Sequence, residues 1–333
     1  MSLIKVPMTI LTYMMMITST LMALSSANWI LLWTAMEINL LSFIPIMLQS
    51  TNNQEIEGAI KYYLAQAFGS AMLLASSLAL WSPFYQTPNI IPLFLATAIM
   101  LKLGSVPCHF WYPSVMSSIS WASCLILSSW QKLAPLCILA YIMPLKTNLF
   151  IMLMSATNAL LGGFMGMNQA QMRSIMAYSS IGHIGWMMSL IGLNKPNASI
   201  MYFMVYVFII IPLFLYMSYF NIYTLKQLSP SSSIMFHLTV MMLLMSLGGI
   251  PPLTGFMPKL MTLMMLAKSS MILPLILIMG SLMNLYFYLN IVINSAMSSN
   301  ILKPDTLTNH KPLMTFSLAI ATTSLGLTPL IMM

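Results

Sequence analysis

The chain has 333 residues, of which 59% are apolar and only 5% are charged. An ordinary soluble domain carries about 25% charged residues, so a surface this poor in charge has to face lipid. These figures exclude a cytosolic enzyme, a nucleic-acid-binding protein and a disulfide-stapled secreted domain. The formal charge of +8 comes from twelve basic and four acidic residues. They are spread singly along the chain, which indicates membrane topology rather than polyanion binding.

Apolar runs long enough to cross a bilayer recur along the whole chain. A hydrocarbon core about 30 Å thick requires about 20 apolar residues per helix, and short polar, proline or glycine clusters separate the runs. We therefore predict an all-α polytopic membrane protein with about eleven transmembrane helices. The predicted spans are 5–24, 28–48, 57–80, 90–112, 118–143, 147–167, 173–192, 198–224, 235–268, 271–296 and 313–332.

Two of these spans, 90–112 and 235–268, contain helix-breaking sequences. The residues that break them are Gly104, Pro107, Gly249, Pro251 and Pro252. Proline removes a backbone donor and clashes with the preceding turn, so both helices should break within the membrane. Such breaks are tolerated only where protein or trapped water satisfies the freed backbone groups.

The two breaks also predict an internal repeat, because Gly104 and Gly249 are 145 residues apart. Five predicted helices separate one broken helix from the next, so the two run in opposite directions. This pattern is typical of transporters with inverted repeats and discontinuous helices, although two coincidental kinks would look the same. The resulting division is a first repeat at 1–145, a second inverted repeat at 146–300 and a C-terminal helix at 301–333.

Basic residues in the predicted loops set the orientation of the chain. One face collects Lys5, Lys61, Arg173, Lys226, Lys303 and Lys311, whereas the other collects Lys146, Lys195 and Lys268. The excess of positive charge marks the inner side of a membrane. We therefore expect the N-terminus inside and, after eleven spans, the C-terminus outside.

Four charged residues fall inside predicted spans: Glu37, Lys102, Lys132 and Lys259. A charge at the bilayer centre costs about 2.5–3.5 kcal/mol on insertion scales, and it indicates function unless it snorkels to the interface. Lys132 is central in its span, and Lys102 is within one turn of the first break. Lys259 follows the second break and could reach water. Glu37 requires a cationic partner, for which a lysine beside a broken helix is the natural candidate.

His183 lies beside serine hydroxyls in an apolar helix, which fits either a proton relay or a hydrogen-bonded packing histidine. The sequence leaves both roles open. Three cysteines without a C-x-x-C pair do not make a four-thiolate cluster, and no G-x-G-x-x-G motif follows a strand. We therefore expect this chain to bind no cofactor and no metal of its own.

Five motifs in order resemble the antiporter-like subunit family of mitochondrial NADH–ubiquinone oxidoreductase, respiratory complex I. The motifs are W-T-A-M-E-I-N-L (33–40), K-L-G-S-V-P-C-H-F-W (102–111), Q-K-L-A-P (131–135), A-Y-S-S-I-G-H (177–183) and G-G-I-P-P-L-T-G-F-M-P-K (248–259). The resemblance runs from the first span to the last. Fuller members of the family have fourteen helices, so eleven resembles a shortened animal form that lacks the first three.

The resemblance implies a mitochondrially encoded, proton-translocating subunit of the inner membrane, with its N-terminus in the matrix and its C-terminus in the intermembrane space. It implies proton transfer by Glu37, Lys102, Lys132, Lys259 and His183. By the same resemblance, NADH, FMN, iron–sulfur clusters and ubiquinone bind to partner subunits of the complex. The expected partners are other membrane-arm subunits and the lipid bilayer, with cardiolipin as a candidate lipid, and no nucleic acid.

Two other functions fit the same sequence features. A free-standing cation/proton antiporter would use the same inverted repeat, but it would work alone instead of co-purifying with NADH-oxidising activity. A purely structural membrane subunit would depend on Lys102 or Lys132 for assembly but not for pumping. Buried central charges are a costly way to make a spacer, so the structural alternative ranks last.

Overall fold

The computed structural model describes residues 2–49, 52–81, 90–142, 147–228 and 234–299. Regular structure in these ranges is helical, which confirms the predicted fold class. The helices are α1 (Ser2–Ser25), α2 (Trp29–Met47), α3 (Asn53–Trp81), α4 (Ile90–Leu103), α5 (Trp111–Ser118), α6 (Trp121–Ser128), α7 (Trp130–Ile142), α8 (Asn148–Met167), α9 (Met172–Gly192), α10 (Pro196–Tyr219), α11 (Ile234–Gly248), α12 (Phe256–Ala267) and α13 (Ile272–Ser299). Within the same ranges, seven helical segments are long and apolar enough to cross a membrane.

Three predicted spans are each a pair of shorter helices. Spans 90–112 and 235–268 become α4 with α5 and α11 with α12, and span 118–143 is interrupted at Ser129 between α6 and α7. The Ser129 backbone (φ −108°, ψ −76°) lies at the edge of the right-handed helical region, away from ideal helix dihedrals. The hydroxyls of Ser128 and Ser129 both donate to the Leu125 carbonyl, a pattern that bends helices. The predicted span 313–332 lies outside the described residues.

The chain divides into two compact units, which we describe separately. Unit 1 comprises residues 1–154 with 194–196, and unit 2 comprises residues 155–193 with 197–333. Division of the chain into two compact units does not test whether the units are repeats of each other. The repeat boundaries at 145 and 300 therefore stay a prediction.

In unit 1, α1 packs along α2, and α3 packs against α2, α4 and α5. α4 also packs against α7, and every residue from Ala98 to Leu103 at its C-terminal end is buried. In contrast, α1 leaves large apolar side chains such as Met14 and Leu21 about 60% exposed, as expected of a lipid-facing helix. The end of α4 is therefore enclosed by protein.

In unit 2, α9 is the most enclosed helix, since only Arg173 and Tyr178 of its residues are not buried. Glycines allow its neighbours to approach closely. A Cβ added to Gly162 of α8 would lie 2.7 Å from the Gly182 backbone nitrogen of α9. Small residues at helix contacts are typical of membrane proteins, and this packing brings α8 against the part of α9 that carries His183.

Candidate functional site

The first helix break begins where α4 ends at Leu103. Gly104 has a φ of +70°, and the Ser105 amide donates to the Met100 carbonyl at 3.0 Å. This six-residue closure around a left-handed glycine is the Schellman type of helix ending. A Cβ at Gly104 would lie 2.9 Å from the Tyr112 Cβ, so glycine is needed both for the backbone conformation and for the close approach of α5.

The second break has the same local conformation at the end of α11. Gly249 has a φ of +83°, and the Ile250 amide donates to the Met245 carbonyl at 3.4 Å. Here a Cβ would lie 2.8 Å from the Lys259 Nζ. The missing side chain of Gly249 therefore makes room for a buried ammonium group.

Lys102 is on the last turn of α4 and is only 5% exposed. The charge that acts on it most directly is the half-buried carboxylate of Glu37 on α2. The two groups interact electrostatically but form no direct ion pair in this structure. The glutamate and the lysine that the sequence suggested as partners therefore lie close enough for their charges to interact.

Lys132 is near the start of α7, three residues after the interruption at Ser129, and is 3% exposed. Among the described residues, its Nζ has no hydrogen-bond partner. The Nζ lies 4.3 Å from the centroid of the Tyr112 ring. An aromatic face can stabilise an ammonium group by about 0.5–2 kcal/mol, so the Tyr112 ring is a weak partner for this charge.

Lys259 is on the first turn of α12 and is also 5% exposed. Its Nζ donates to the Gly248 carbonyl at 2.7 Å and to the Leu247 carbonyl at 3.2 Å. The last carbonyls of a helix carry partial negative charge and favour a cation. The ammonium therefore caps α11 instead of reaching water, which was the other possibility that the sequence left open.

His183 on α9 accepts or donates a hydrogen bond through Nδ1 to the Tyr202 hydroxyl, at 3.0 Å. Its ring also lies 5.1 Å from the Tyr206 ring. A cavity beside it is lined by His183, Tyr202, Tyr206, Ser246, Leu247 and Pro258, among others. Because Leu247 contributes a carbonyl bound by Lys259, His183 and the capped end of α11 share one small space.

Several neutral side chains also form hydrogen bonds at the site, and the sequence assigned no role to any of them. The Gln131 amide donates to Asn39 Oδ1 at 3.0 Å, and the Gln66 amide donates to the Lys102 carbonyl at 3.1 Å. The Trp111 indole donates to the Leu101 carbonyl at 3.1 Å. Asn39, Gln131 and Trp111 lie within the quoted motifs. The only signal for Gln66 is an amide inside an apolar run, since a buried amide requires a partner.

Metal ligation is not supported in the part of the chain that the structure describes, where no group of three or more His, Cys, Asp or Glu residues could hold an ion. Cys108 is exposed, Cys124 is buried and Cys137 is intermediate.

The chain matches known families over most of its length. Residues 84–284 match the membrane-domain model of the NADH:quinone oxidoreductase/Mrp antiporter family. NADH-ubiquinone oxidoreductase chain 2 of Lumbricus terrestris is 60% identical over 332 residues, covering 99% of both chains. A chain of respiratory complex I from Thermus thermophilus has a TM-score of 0.84 at 20% identity, covering 96% of this chain and 78% of its own length. A chain of the Mrp complex from Dietzia sp. has a TM-score of 0.82 at 16% identity, with 96% and 74% covered.

The two structural matches show a shared fold, and with the family model they define the class as antiporter-like membrane proteins. The 60% sequence identity to the Lumbricus terrestris protein then narrows the assignment from this class to one family. The chain belongs to the NADH-ubiquinone oxidoreductase chain 2 family. The resemblance inferred from the five motifs is therefore confirmed.

Proposed function

We propose that this chain is a proton-translocating subunit of the membrane arm of NADH:ubiquinone oxidoreductase in the mitochondrial inner membrane. The observation that carries the proposal is the placement of three buried lysines, Lys102, Lys132 and Lys259, each beside a helix break or interruption. Because the chain belongs to the NADH-ubiquinone oxidoreductase chain 2 family, we place these lysines in that complex.

Proton transfer begins at Lys102 and Glu37. Burial favours the neutral amine of a lysine, whereas a nearby carboxylate favours the ammonium form. Because the two groups interact without a direct ion pair, a small change in their separation changes how tightly Lys102 holds its proton. Moving one proton against 100 mV requires about 2.3 kcal/mol, which lies within the range of such electrostatic effects.

Lys132 receives the proton in the next step and holds it as an ammonium against the Tyr112 ring. Lys259 governs exchange with one side of the membrane, and His183 relays protons beside the capped end of α11. In each step a lysine or imidazole nitrogen gains or loses one proton, and no covalent bond between heavy atoms changes.

Redox chemistry is assigned to partner subunits, which bind NADH, FMN, iron–sulfur clusters and ubiquinone. The chain packs against other membrane-arm subunits and against lipid, for which cardiolipin is a candidate. The distribution of loop lysines favours an N-terminus in the matrix and a C-terminus in the intermembrane space. The two repeats at 1–145 and 146–300 would each carry one broken helix.

A native gel of the source membranes tests this assignment. The gel is stained for NADH dehydrogenase activity and each band is searched for this chain by mass spectrometry. We expect the chain only in a large NADH-active band. A chain that migrates alone, near its own mass or a small multiple, would instead support a free-standing cation/proton antiporter, a function that the fold shared with the Mrp complex allows.

A further inference from the structure

The start of α7 is tied to two other helices by the side chain of Gln131, the residue before Lys132. The Gln131 amide donates through Nε2 to Asn39 Oδ1 on α2, at 3.0 Å. Its Oε1 accepts a longer hydrogen bond from the Tyr62 hydroxyl on α3, at 3.4 Å. Asn39 is 4% exposed and Tyr62 is 1% exposed, so both bonds lie inside unit 1. The oxygen and the nitrogen of the Gln131 amide are therefore both used, which fixes the amide between α2 and α3.

The interruption at Ser129 is the reason that α7 needs such ties. A continuous helix fixes each residue through a hydrogen bond to the carbonyl four positions earlier. At the start of α7 the Lys132 amide instead donates to the Ser129 carbonyl, three positions earlier, at 3.3 Å. The preceding helix α6 therefore does not by itself set the direction in which Lys132 points, and side-chain contacts of the first turn of α7 contribute to it.

The aromatic ring that faces Lys132 is supported through the same tyrosine. The Lys132 Nζ lies 4.3 Å from the centroid of the Tyr112 ring on α5. The Tyr112 ring packs edge-to-face against Trp111, with centroids 5.7 Å apart, and Trp111 packs in the same way against Tyr62, at 5.9 Å. Edge-to-face pairs at these distances are favourable. Tyr62 thus contacts Gln131 through its hydroxyl and Trp111 through its ring, and these contacts close a loop that contains Lys132.

We propose that Gln131 is a positioning residue for proton transfer, because its amide holds the first turn of α7 where the Lys132 ammonium lies over the Tyr112 ring. This inference rests on the proposed function, in which Lys132 holds a proton against that ring. Without the two bonds of Gln131, the first turn of α7 gains freedom at the interruption, and the ammonium spends less time over the ring.

The test uses the intact complex reconstituted in vesicles, with protons translocated per NADH as the readout. Lys132→Met defines the part of the yield that depends on Lys132. Gln131→Met removes both hydrogen bonds while keeping most of the side-chain volume, and Asn39→Leu removes the shorter bond from the side of α2. One net hydrogen bond corresponds to about a fivefold change in a population. Asn39→Leu should therefore lower the Lys132-dependent yield about fivefold, and Gln131→Met should lower it at least as much.

A second background distinguishes positioning from general stability. If Gln131 acts by holding the ammonium over the Tyr112 ring, its loss has no further effect once that ring is gone. In the Tyr112→Leu background, Gln131→Met should therefore leave the remaining yield unchanged. Two residues that act independently would instead show effects that multiply, and that result would overturn the inference.

Gln54→Met is the matched control, because it makes the same substitution at an exposed glutamine at the start of α3. It should retain the full proton yield. Asn39→Leu provides a second measurement of the same bond, so the inference can still be refuted if the complex carrying Gln131→Met does not assemble.

The outcomes separate this inference from the proposed function. If Lys132→Met leaves the yield unchanged, the proposed role of Lys132 fails. If Lys132→Met lowers the yield but Gln131→Met and Asn39→Leu do not, the positioning role fails while the proposed function stands. A purely structural role would reduce the amount of assembled complex without changing the yield of what remains, and this result would also overturn the inference.

Discussion

Gly248 and Gly249, at the end of α11, allow a test of whether the second break requires glycine to accommodate the Lys259 ammonium. Gly249 has a φ of +83°, where alanine is strained by about 1–2 kcal/mol. A Cβ there would also lie 2.8 Å from the Lys259 Nζ, which has to withdraw from at least one carbonyl. Losing one hydrogen bond to a charged group costs about 1.5–3 kcal/mol. Gly249→Ala should therefore destabilise the break by about 2.5 kcal/mol as a sum of the lower estimates.

Hydrogen–deuterium exchange by mass spectrometry measures this change locally in the intact complex. The amides of Gly249 and Ile250 donate to Met245, and that of Leu253 donates to Ile250. A loss of about 2.5 kcal/mol raises the opening equilibrium of these amides about seventyfold. Peptides covering residues 245–253 should exchange faster by that factor, while peptides from α4 should not change.

Gly248→Ala is the matched control, because it makes the same substitution at the neighbouring residue. A Cβ at Gly248 has no contact closer than 3.6 Å, and the residue is the last of α11. The control should leave exchange unchanged or slow it slightly. Equal acceleration in both variants would refute the claim that Gly249 is required for the left-handed turn and for the Lys259 ammonium.

Three further predictions concern single contacts. Tyr112→Leu removes the ring beneath the Lys132 Nζ and should lower protons translocated per NADH, whereas Tyr112→Phe keeps the ring and should retain the yield. Tyr202→Phe removes the hydroxyl bound to His183 Nδ1; the yield should fall without loss of assembled complex, and an unchanged yield would exclude a relay that depends on this hydrogen bond. Gly185→Ala places a Cβ 2.7 Å from the Ser155 carbonyl oxygen, and overpacking of this kind costs about 1–3 kcal/mol. The thermal midpoint of the complex should therefore fall, and an unaltered midpoint would contradict the close contact.

The sequence predicts the helices and their breaks because both depend on local chemistry. Apolar runs of sufficient length become helices, and glycine followed by proline ends α4 and α11 where the chain has Gly104 and Gly249. The interruption at Ser129 is different, since serines are common inside membrane helices. Helical serines such as Ser42 and Ser246 also donate to a carbonyl three residues earlier, whereas Ser128 and Ser129 differ in sharing one carbonyl, that of Leu125.

The buried charges are also visible in the sequence, but their partners are not. Lys259 could have reached water, and only the tertiary structure shows that its ammonium binds the end of α11. Gln66 is one neutral residue in an apolar helix, and its role depends on α3 packing against α4. Packing between consecutive helices across a turn sets these contacts, and the pattern of one helix does not reveal how it packs on the next.

The most direct test of the central claim is the number of protons translocated per NADH by the intact complex carrying Lys132→Met. The variant removes a buried ammonium that has no hydrogen-bond partner among the described residues. The matched control is Lys195→Met, which makes the same substitution at an exposed loop lysine. Proton translocation through this chain predicts a lower yield for Lys132→Met and the full yield for Lys195→Met, with normal assembly in both. An unchanged yield for Lys132→Met would contradict it.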